Sequence, residues 1–598
     1  MKVNKYIGMV MMAAGVLATA SCTDFDDYNK AVVDEGMPSS NQTLWQNIQQ
    51  NAQLSDFAAL VKKSGFAENL DATQYYTVWA PVNGTFDASA YEQLGNKALL
   101  RQFVQNHIAS YGHHATGVLD ETNRILMLNK KSYNFTGSQN SYQFDGVNVL
   151  QENLSNSNGV MHILDGDVAF YPNLYEYVTD STLAVGREID SLRHFFQKYE
   201  LTYLDEKASV VGPIVDGMQT YVDSVMVTEN ALWGSLNAKI ANEDSTYTFL
   251  MPTNKAWSSA HDKIKSYYQY APETNAQAFV PNTSGGIDIS PTPSSITIDN
   301  AYWQDSMTTR AITNNLVYSN RNGYNLWLEG SPSATYGVDT LYTTTRTKLS
   351  NPTAIIDQTK AKLQMSNGVA RIVDSLAFYP WETYAPERSV SAASNSNRAR
   401  VATGTAKTYS VHLEGVPEQE DFNYVWVQSS GGYSKPELDL YLPNVLSTTY
   451  DIYCVFVPPY DAWPTNSEEL RPNRVIFTLN YCDATGTLKD YEFLDENPDH
   501  IADFQSKFNL TDNATNRTTI RAFSNDPTKL DTLYIGEFTF PVCYYGLGDE
   551  YCPNIKITSP FSVFNTSLTA AFSRDMRIAS VILKPKELVE FEEESKKK

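Results

Sequence analysis

The stretch Ser157-Asn158-Gly159-Val160-Met161-His162-Ile163-Leu164-Asp165 recurs later in the chain as Ser366-Asn367-Gly368-Val369-Ala370-Arg371-Ile372-Val373-Asp374. An earlier stretch, Thr77-Val78-Trp79-Ala80-Pro81-Val82-Asn83-Gly84-Thr85-Phe86, is matched by Thr248-Phe249-Leu250-Met251-Pro252-Thr253-Asn254-Lys255-Ala256-Trp257. Two different motifs that each occur twice, in the same order, indicate a duplicated domain. Neither motif carries a nucleophile with a base, so the duplication favours binding over catalysis.

Each motif predicts local structure. In the upstream motif a short β run ends at Pro81 or Pro252, because proline cannot continue a central strand. The Asn that follows is predicted to cap the start of a helix, and Phe86 or Trp257 then faces inward from the first turn. The downstream motif predicts an Asn-Gly turn followed by a strand.

The two motifs resemble the signature boxes of fasciclin domains. The segment between the boxes also resembles this family, with a leading helix at 54–61 and a central helix at 102–108 that contains a His. The resemblance implies an α+β fold with two tandem domains, the first over 39–174 and the second over 175–388. It also implies a role in adhesion or ligand binding.

The second copy departs from the family pattern. Its central helix, 311–318, has no His, and Arg371 replaces the His of the downstream box. A function that depends on those His residues is therefore not expected in the second copy. The second copy is also longer between its boxes, which predicts a loop insertion near 271–298, where Pro, Ser, Thr and Gly are frequent.

The start of the chain predicts export. Lys2 and Lys5 precede an apolar stretch too short to span a membrane, which is typical of a signal peptide over 1–21. Small residues directly before Cys22 resemble a bacterial lipoprotein cleavage box, so Cys22 is the expected lipidation site. The alternative is an ordinary secretory signal with an incidental Cys.

An acidic tether at 22–38 follows and resembles the export tags of surface lipoproteins in Bacteroidota-type bacteria. We therefore expect a lipid anchor in the outer membrane, with the protein facing the cell exterior.

Composition is consistent with an exported protein. The chain has 598 residues, enough for several domains, and its formal net charge of -23 argues against nucleic acid as a partner. The 38 Tyr residues suit β-rich extracellular surfaces, where Tyr offers an apolar ring with a polar tip.

The last third of the chain predicts a different module. After a linker at 389–405, short alternating runs separated by turn residues predict an all-β sandwich or jelly roll over 406–590. A mobile charged tail is expected at 591–598. Cys543 and Cys552 lie in this module and are close enough in sequence to form a disulfide in an exported chain. A zinc site or buried thiols are the alternatives.

No pattern in the sequence predicts an enzyme. The pair His113-His114 has no Asp or Cys at metal spacing. Asp165 and Asp167 share one strand face, whereas a glycosidase pair needs carboxylates from separate elements. We interpret these side chains as structural or solvated, and expect no catalytic residue, no cofactor and no metal.

Aromatic side chains in loops are the binding candidates, because function concentrates in loops. Tyr460 and Trp463 lie in a Pro-rich loop, and Tyr544 and Tyr545 lie beside Cys543. The alternative is that these rings pack on the sandwich as lids.

Three functions follow from these patterns. The first is a surface lipoprotein that captures a glycan or peptide together with a SusC/SusD-like TonB-dependent outer-membrane transporter. The second is a cell-surface adhesin or scaffold that binds another protein. The third is a hydrolase with an unrecognised site in the C-terminal module. A deep pocket with paired carboxylates would favour the third.

Overall fold

The computed structural model describes residues 41–597 except for gaps at 140, 208, 216–217, 224–225, 273–276, 282–286, 292–299, 322–324, 326–327, 329–339, 402–403, 412–421, 430–434, 460–469 and 548–551. The described residues form two compact units. The first unit ends at Tyr175 and also contains 241–245 and 364–367, and the second unit contains the remainder. We call 39–174 the first repeat, 175–388 the second repeat and 406–590 the C-terminal module.

The first repeat is built on a parallel pair of strands, one from each motif. Tyr76–Pro81 runs parallel to Gly159–Leu164, and every residue of both strands is buried. Ile108–Ser110 pairs antiparallel with the first of these strands, and Val147–Asn156 pairs antiparallel with the second. The other strands are Val118–Leu119, Arg124–Leu126, Ser132–Ser138 and Ser141–Phe144, and the helices are Leu44–Gln50, Ala52–Leu54, Ser55–Ser64, Ala67–Asp71, Ala88–Glu92, Asn96–Leu99 and Leu100–Val104.

Apolar side chains cover both faces of this strand pair. One face packs on a cluster that includes Phe57 and Phe103, and the other carries Trp79, whose ring stacks on Phe144 with 4.2 Å between centroids. Coverage on both sides explains why both strands are continuously apolar rather than alternating.

The second repeat has the same arrangement in the same register. Tyr247–Pro252 runs parallel to Gly368–Val373, with Tyr247 opposite Gly368 as Tyr76 is opposite Gly159. Val317–Ser319 and Thr359–Met365 flank this pair, in the order that the equivalent strands have in the first repeat. The predicted duplication is therefore confirmed.

The second repeat contains further strands and helices. The strands are Glu200–Leu204, Val210–Val215, Met218–Asp223, Met226–Asn230, Gln277–Pro281, Ile287–Pro291, Leu341–Tyr342 and Lys348–Leu349. The helices are Leu174–Thr179, Asp190–Lys198, Trp233–Leu236, Asn254–Lys265, Ser266–Tyr268, Asn300–Thr313, Pro352–Ile356 and Pro380–Glu382.

The insertion near 271–298 is not a simple loop. Its described residues include the antiparallel strands Gln277–Pro281 and Ile287–Pro291. The loop prediction was wrong for these strands, because the apolar and β-branched residues between the prolines favour strand pairing.

The sequence predicts that the Asn of the upstream motif caps the helix that follows it. This prediction was wrong. Asn83 Oδ1 accepts a hydrogen bond from the Asp56 backbone N–H at 3.0 Å, and Asn254 Oδ1 accepts one from the Ser191 N–H at 2.9 Å. Asp56 and Ser191 lie in the first turn of the leading helix of each repeat. Each Asn side chain thus accepts a hydrogen bond from a first-turn N–H of the leading helix, and such an N–H has no acceptor within that helix. In the second repeat the following helix is capped instead by Thr253.

The Asn of the downstream motif has a comparable role. Asn158 Oδ1 accepts a hydrogen bond from the Leu44 N–H at 2.8 Å, and Asn367 Oδ1 accepts one from the Leu174 N–H at 2.9 Å. Leu44 and Leu174 are the first residues of the first helix in each repeat. Both Asn side chains are buried, so these bonds fix the helices to the sheet at protected positions.

The aromatic residue of the upstream motif faces inward in both repeats. Trp257 lies in the first turn of Asn254–Lys265 and packs against Phe195, with 5.8 Å between ring centroids. Phe86 lies just before Ala88–Glu92 and stacks on Phe103 at 5.4 Å.

The C-terminal module and the segment 388–405 before it together form a sandwich of two sheets, each with six strands among the described residues, around an apolar core. One sheet contains Arg388–Ser391, Gly404–Val411, Phe422–Ser429, Thr449–Phe456, Asp531–Thr539 and Met576–Pro585, and the other contains Arg398–Val401, Glu437–Tyr441, Arg474–Cys482, Leu488–Phe493, Phe523–Ser524 and Asn554–Thr558. The predicted sandwich is therefore present. Within the described residues, helices that the strand pattern does not predict accompany it: Asn395–Asn397, Pro498–Phe508, Arg517–Ile520, Thr566–Ala571 and Lys586–Lys597.

Two segments at the edges of the module differ from the prediction. The predicted linker at 389–405 contributes strands, since Arg388–Ser391 pairs with the closing strand Met576–Pro585. The predicted mobile tail is helical to Lys597, and Phe591 of this helix lies 4.9 Å from the Trp381 ring. Contacts with residues far away in the sequence order both segments. The small or charged residues of the two segments do not predict these contacts.

Candidate ligand-binding groove

The C-terminal module contains a cavity of about 810 Å³, which we call the groove. One wall is the helix Pro498–Phe508 with the loop 494–497 before it, and the opposite wall comes from the strand Asp531–Thr539. The volume is in the range of small-molecule and oligomer sites.

The helix that forms one wall has clear start and stop signals. Asn497 caps it by accepting a hydrogen bond from the Asp499 N–H at 3.0 Å, Pro498 occupies the first turn, and Asn509 ends it in a left-handed conformation with φ of 50°. Its groove-facing residues are spaced by four, which places them on one face: Asp499, Asp503 and Lys507 in one row, and His500, Phe504 and Phe508 in the next.

The floor of the groove is aromatic. Phe504, Phe523 and Phe572 are almost fully buried, and the Arg474 guanidinium lies 4.1 Å from the Phe504 ring centroid. Arg474 donates hydrogen bonds to the Ile520 carbonyl at 2.5 Å and to Ser524 Oγ at 2.9 Å. Burial lowers the pKa of Arg474 to about 10, so the guanidinium is still charged at neutral pH.

The rim of the groove is acidic. Asp495 pairs with His500 at 2.8 Å, and Glu496 pairs with Arg521. Asp499 and Asp503 are exposed. An aromatic floor with carboxylate acceptors at its edge suits a ligand that has an apolar face and hydroxyl, amide or amine donors.

No cluster of His, Cys, Asp or Glu in the described ranges could hold a metal ion. The carboxylates singled out in the first repeat have separate partners. Asp165 accepts a hydrogen bond from Asn148 Nδ2 at 2.9 Å, whereas Asp167 accepts one from the Tyr91 hydroxyl at 2.6 Å. Burial, together with this bond, raises the pKa of Tyr91. Asp374, the counterpart of Asp165, pairs with Lys360 at 2.7 Å.

The His113-His114 pair is not a solvated turn. His113 is half-buried, and its Nε2–H donates to the Ser110 carbonyl at 3.0 Å. Burial lowers the pKa of His113, which favours the neutral ring.

Three of the predicted site residues, Cys22, Tyr460 and Trp463, lie outside the described residues. Tyr545 is half-buried, with its ring 5.7 Å from the Arg388 guanidinium. Tyr544 was a binding candidate, with packing on the sandwich as the alternative, and its exposed fraction of 3% agrees with the alternative. Its hydroxyl oxygen accepts a hydrogen bond from the Cys482 backbone N–H at 2.7 Å, so this ring is part of the core.

The predicted disulfide between Cys543 and Cys552 is not formed. Cys454, Cys482, Cys543 and Cys552 are all described, and all four are buried thiols outside any disulfide. Burial raises the pKa of Cys543 to about 12, which disfavours the reactive thiolate.

The sequence did not predict the groove, because its walls come from segments far apart in the chain. One signal was available: the sequence Asn497-Pro498-Asp499 followed by apolar residues at Ile501, Phe504 and Phe508 is typical of a capped amphipathic helix. Such a helix inside a run of predicted strands indicates a departure from a simple sandwich at this position.

Comparisons with known proteins identify the first repeat. Residues 52–166 match the Fasciclin domain family. The solved structure of a FAS1 domain pair from the insect cell adhesion molecule fasciclin I covers 56% of this chain and 99% of that chain, with 12% sequence identity and a TM-score of 0.18. No curated protein matches the chain.

The first repeat is thus a fasciclin-like domain, and the second repeat shares its strand register. Fasciclin domains are non-catalytic modules of the adhesion type, which fits a binding or accessory role, and no enzyme family is indicated. Within the described residues, no helix combines the length and apolar character needed to cross a membrane.

Proposed function

We propose that this chain is a lipid-anchored binding protein of the outer-membrane surface that captures a glycan or peptide for a SusC/SusD-like TonB-dependent uptake system. The groove is the observation that supports capture, because it combines an aromatic floor with exposed carboxylates. The lipoprotein-like sequence at Cys22 supports the anchor, and the fasciclin-like first repeat supports a binding role. The transporter association rests on the resemblance to multidomain surface lipoproteins.

The charge of the rim limits the chemical class of the expected ligand. Asp495, Glu496, Asp499 and Asp503 line the groove together with the basic side chains of Arg474 and Lys507, so its lining carries more negative than positive charge and is expected to disfavour a uronate-rich or sulfated glycan. A neutral glycan, an amino-sugar glycan or a basic peptide is the expected ligand.

Replacing Tyr534 with Ala is expected to weaken ligand binding about tenfold, because a lost aromatic contact costs about 1.4 kcal/mol. Tyr534 lines the groove and has an exposed fraction of 47%. The measurement is titration calorimetry of the full chain in detergent against neutral, amino-sugar and uronate oligosaccharides and basic peptides.

The matched control is Tyr491→Ala. Tyr491 has an exposed fraction of 42% but does not line the groove. Equal losses in the two variants would argue against the groove as the binding site, and uronate binding that Tyr534→Ala weakens would contradict the role of the rim.

A second candidate function, adhesion or scaffolding, is favoured by the Fasciclin match at 52–166. In that case the first repeat binds another surface protein, and this binding would be retained in Tyr534→Ala. Retention of partner binding alongside loss of glycan binding would show that both functions operate through separate domains.

A further inference from the structure

The second unit contains another cavity, of about 240 Å³, whose chemistry is opposite to that of the groove. It lies between the helix Asn300–Thr313 of the second repeat and the segment 383–388 that leads into the C-terminal module, with Tyr268 and Tyr545 also in its wall. We call it the anion pocket. This volume is enough for one small molecule but not for a polymer.

The charged residues of the anion pocket are all basic. Arg310 and Arg388 line it, and none of its described lining residues is Asp or Glu, although the chain carries 68 acidic residues. Among the described residues neither arginine forms an ion pair. Arg310 is exposed, whereas Arg388 is half-buried beside the Tyr545 ring. A planar guanidinium that is partly removed from water and has no carboxylate partner is suited to bind an oxyanion through two hydrogen bonds.

Two buried polar atoms at this position also lack partners in the described part of the chain. They are Nε of Arg388, a donor, and Oδ1 of Asn314, an acceptor. Buried polar groups without a partner are rare in folded proteins and call for an explanation. Residues with uncharged polar groups complete the lining, namely Asn315, Thr345, Thr347, Thr383, Tyr268 and Tyr384.

We propose that the anion pocket binds a small hydroxylated carboxylate of the sugar-acid class, such as a uronic acid. The carboxylate would lie between Arg310 and Arg388, where the potential is positive, and the sugar hydroxyls would donate to Asn314 and exchange hydrogen bonds with the threonines. The acidic groove would repel the same molecule, so the two cavities take different ligands and this assignment does not depend on the proposed function of the groove.

The test is titration calorimetry of the full chain with D-glucuronate as the probe and D-glucose as the neutral comparison. Glucuronate is expected to bind, and glucose is expected not to. Arg388→Gln is expected to weaken glucuronate binding by roughly tenfold or more, and the exposed Arg310→Gln by roughly fivefold, because each removes a charge-assisted partner. Tyr534→Ala, in the groove, is expected to leave glucuronate binding unchanged.

Arg346→Gln is the matched control, since Arg346 is an exposed arginine between Thr345 and Thr347 that does not itself line the pocket. Its affinity for glucuronate is expected to match that of the native chain. If Arg388→Gln does not fold, the surface variant Arg310→Gln still tests the site. Absence of glucuronate binding, equal affinity in Arg310→Gln and Arg346→Gln, or displacement of glucuronate by equimolar inorganic sulfate would each overturn the sugar-acid assignment.

Discussion

Acidification from pH 7 to about pH 4 is expected to unfold the first repeat while the second repeat remains folded. The cause is a pair of fully buried histidines, His107 and His162, each of which has a pKa lowered to about 4 by burial. In the unfolded chain their pKa is about 6.5. The unfolded state therefore takes up protons between pH 6.5 and 4 that the folded state does not, and stability falls as the pH falls through this window.

Hydrogen bonds hold both rings in the neutral form. His107 donates from Nδ1 to the Phe103 carbonyl at 2.8 Å, and its Nε2 accepts from the Val168 N–H at 3.0 Å. His162 donates from Nε2 to the His113 carbonyl at 2.8 Å, and its Nδ1 accepts from the Asn153 N–H at 3.3 Å. A second ring proton would face an N–H donor in each case. The expected loss of stability is about 3 kcal/mol for each histidine.

The second repeat provides the internal control. Arg371 occupies the register position of His162. The Leu316 carbonyl accepts the hydrogen bond from the Leu250 N–H, as the His107 carbonyl accepts one from the Trp79 N–H in the first repeat. Hydrogen exchange with mass spectrometry, corrected for the intrinsic pH dependence, should show loss of protection in Tyr76–Pro81 near pH 4.5 and retained protection in Tyr247–Pro252. Simultaneous loss in both strands would contradict this explanation.

Gly368→Ala is expected to destabilise the second unit by more than about 3 kcal/mol, the range of severe core and backbone mutations. A Cβ at this position would lie 1.9 Å from the Tyr247 carbonyl oxygen of the parallel strand, and the backbone φ of +143° is unfavourable for any side chain. Because the obstructing atom belongs to the backbone, no side chain can move away to relieve the contact. Denaturant unfolding of the full chain, followed by hydrogen exchange in Gly368–Val373, measures the effect.

The same substitution in the first repeat should act in the same way. A Cβ on Gly159 would lie 2.1 Å from the Tyr76 carbonyl oxygen, whereas one on Gly234 would have no heavy atom within 4 Å. Gly234→Ala is therefore the control and is expected to be neutral or slightly stabilising. Equal stability of Gly368→Ala and Gly234→Ala would mean that the two motif strands do not approach each other as closely as described.

The repeated motifs were sufficient to predict the duplication and the Asn-Gly turns, and the alternating runs of the last third were sufficient to predict the sandwich, because each of these signals lies in residues close together in sequence. The roles of Asn83 and Asn254 were not predictable in this way. Each pairs with a helix that begins well before it in the chain, so its partner is visible only once the chain is folded.

Loop composition was a poor guide to exposure. Tyr544 lies among turn residues, but its hydroxyl partner comes from a strand more than sixty positions earlier. The groove and the anion pocket are likewise assembled from distant segments. Of the two predicted binding residues that the structure describes, Tyr545 lines the anion pocket and Tyr544 lines neither cavity. Local patterns specify elements, whereas cavities depend on how those elements pack.

The central proposal is that this chain is a surface-anchored binding protein that works with an outer-membrane transporter. Its most direct test is affinity purification of the native protein from solubilised outer membranes, with mass spectrometry of the proteins that accompany it. We expect a SusC/SusD-like pair in stoichiometric amounts. Recovery of the chain alone, or with only a matrix or cell-surface protein, would contradict the claim and favour an adhesin or scaffold.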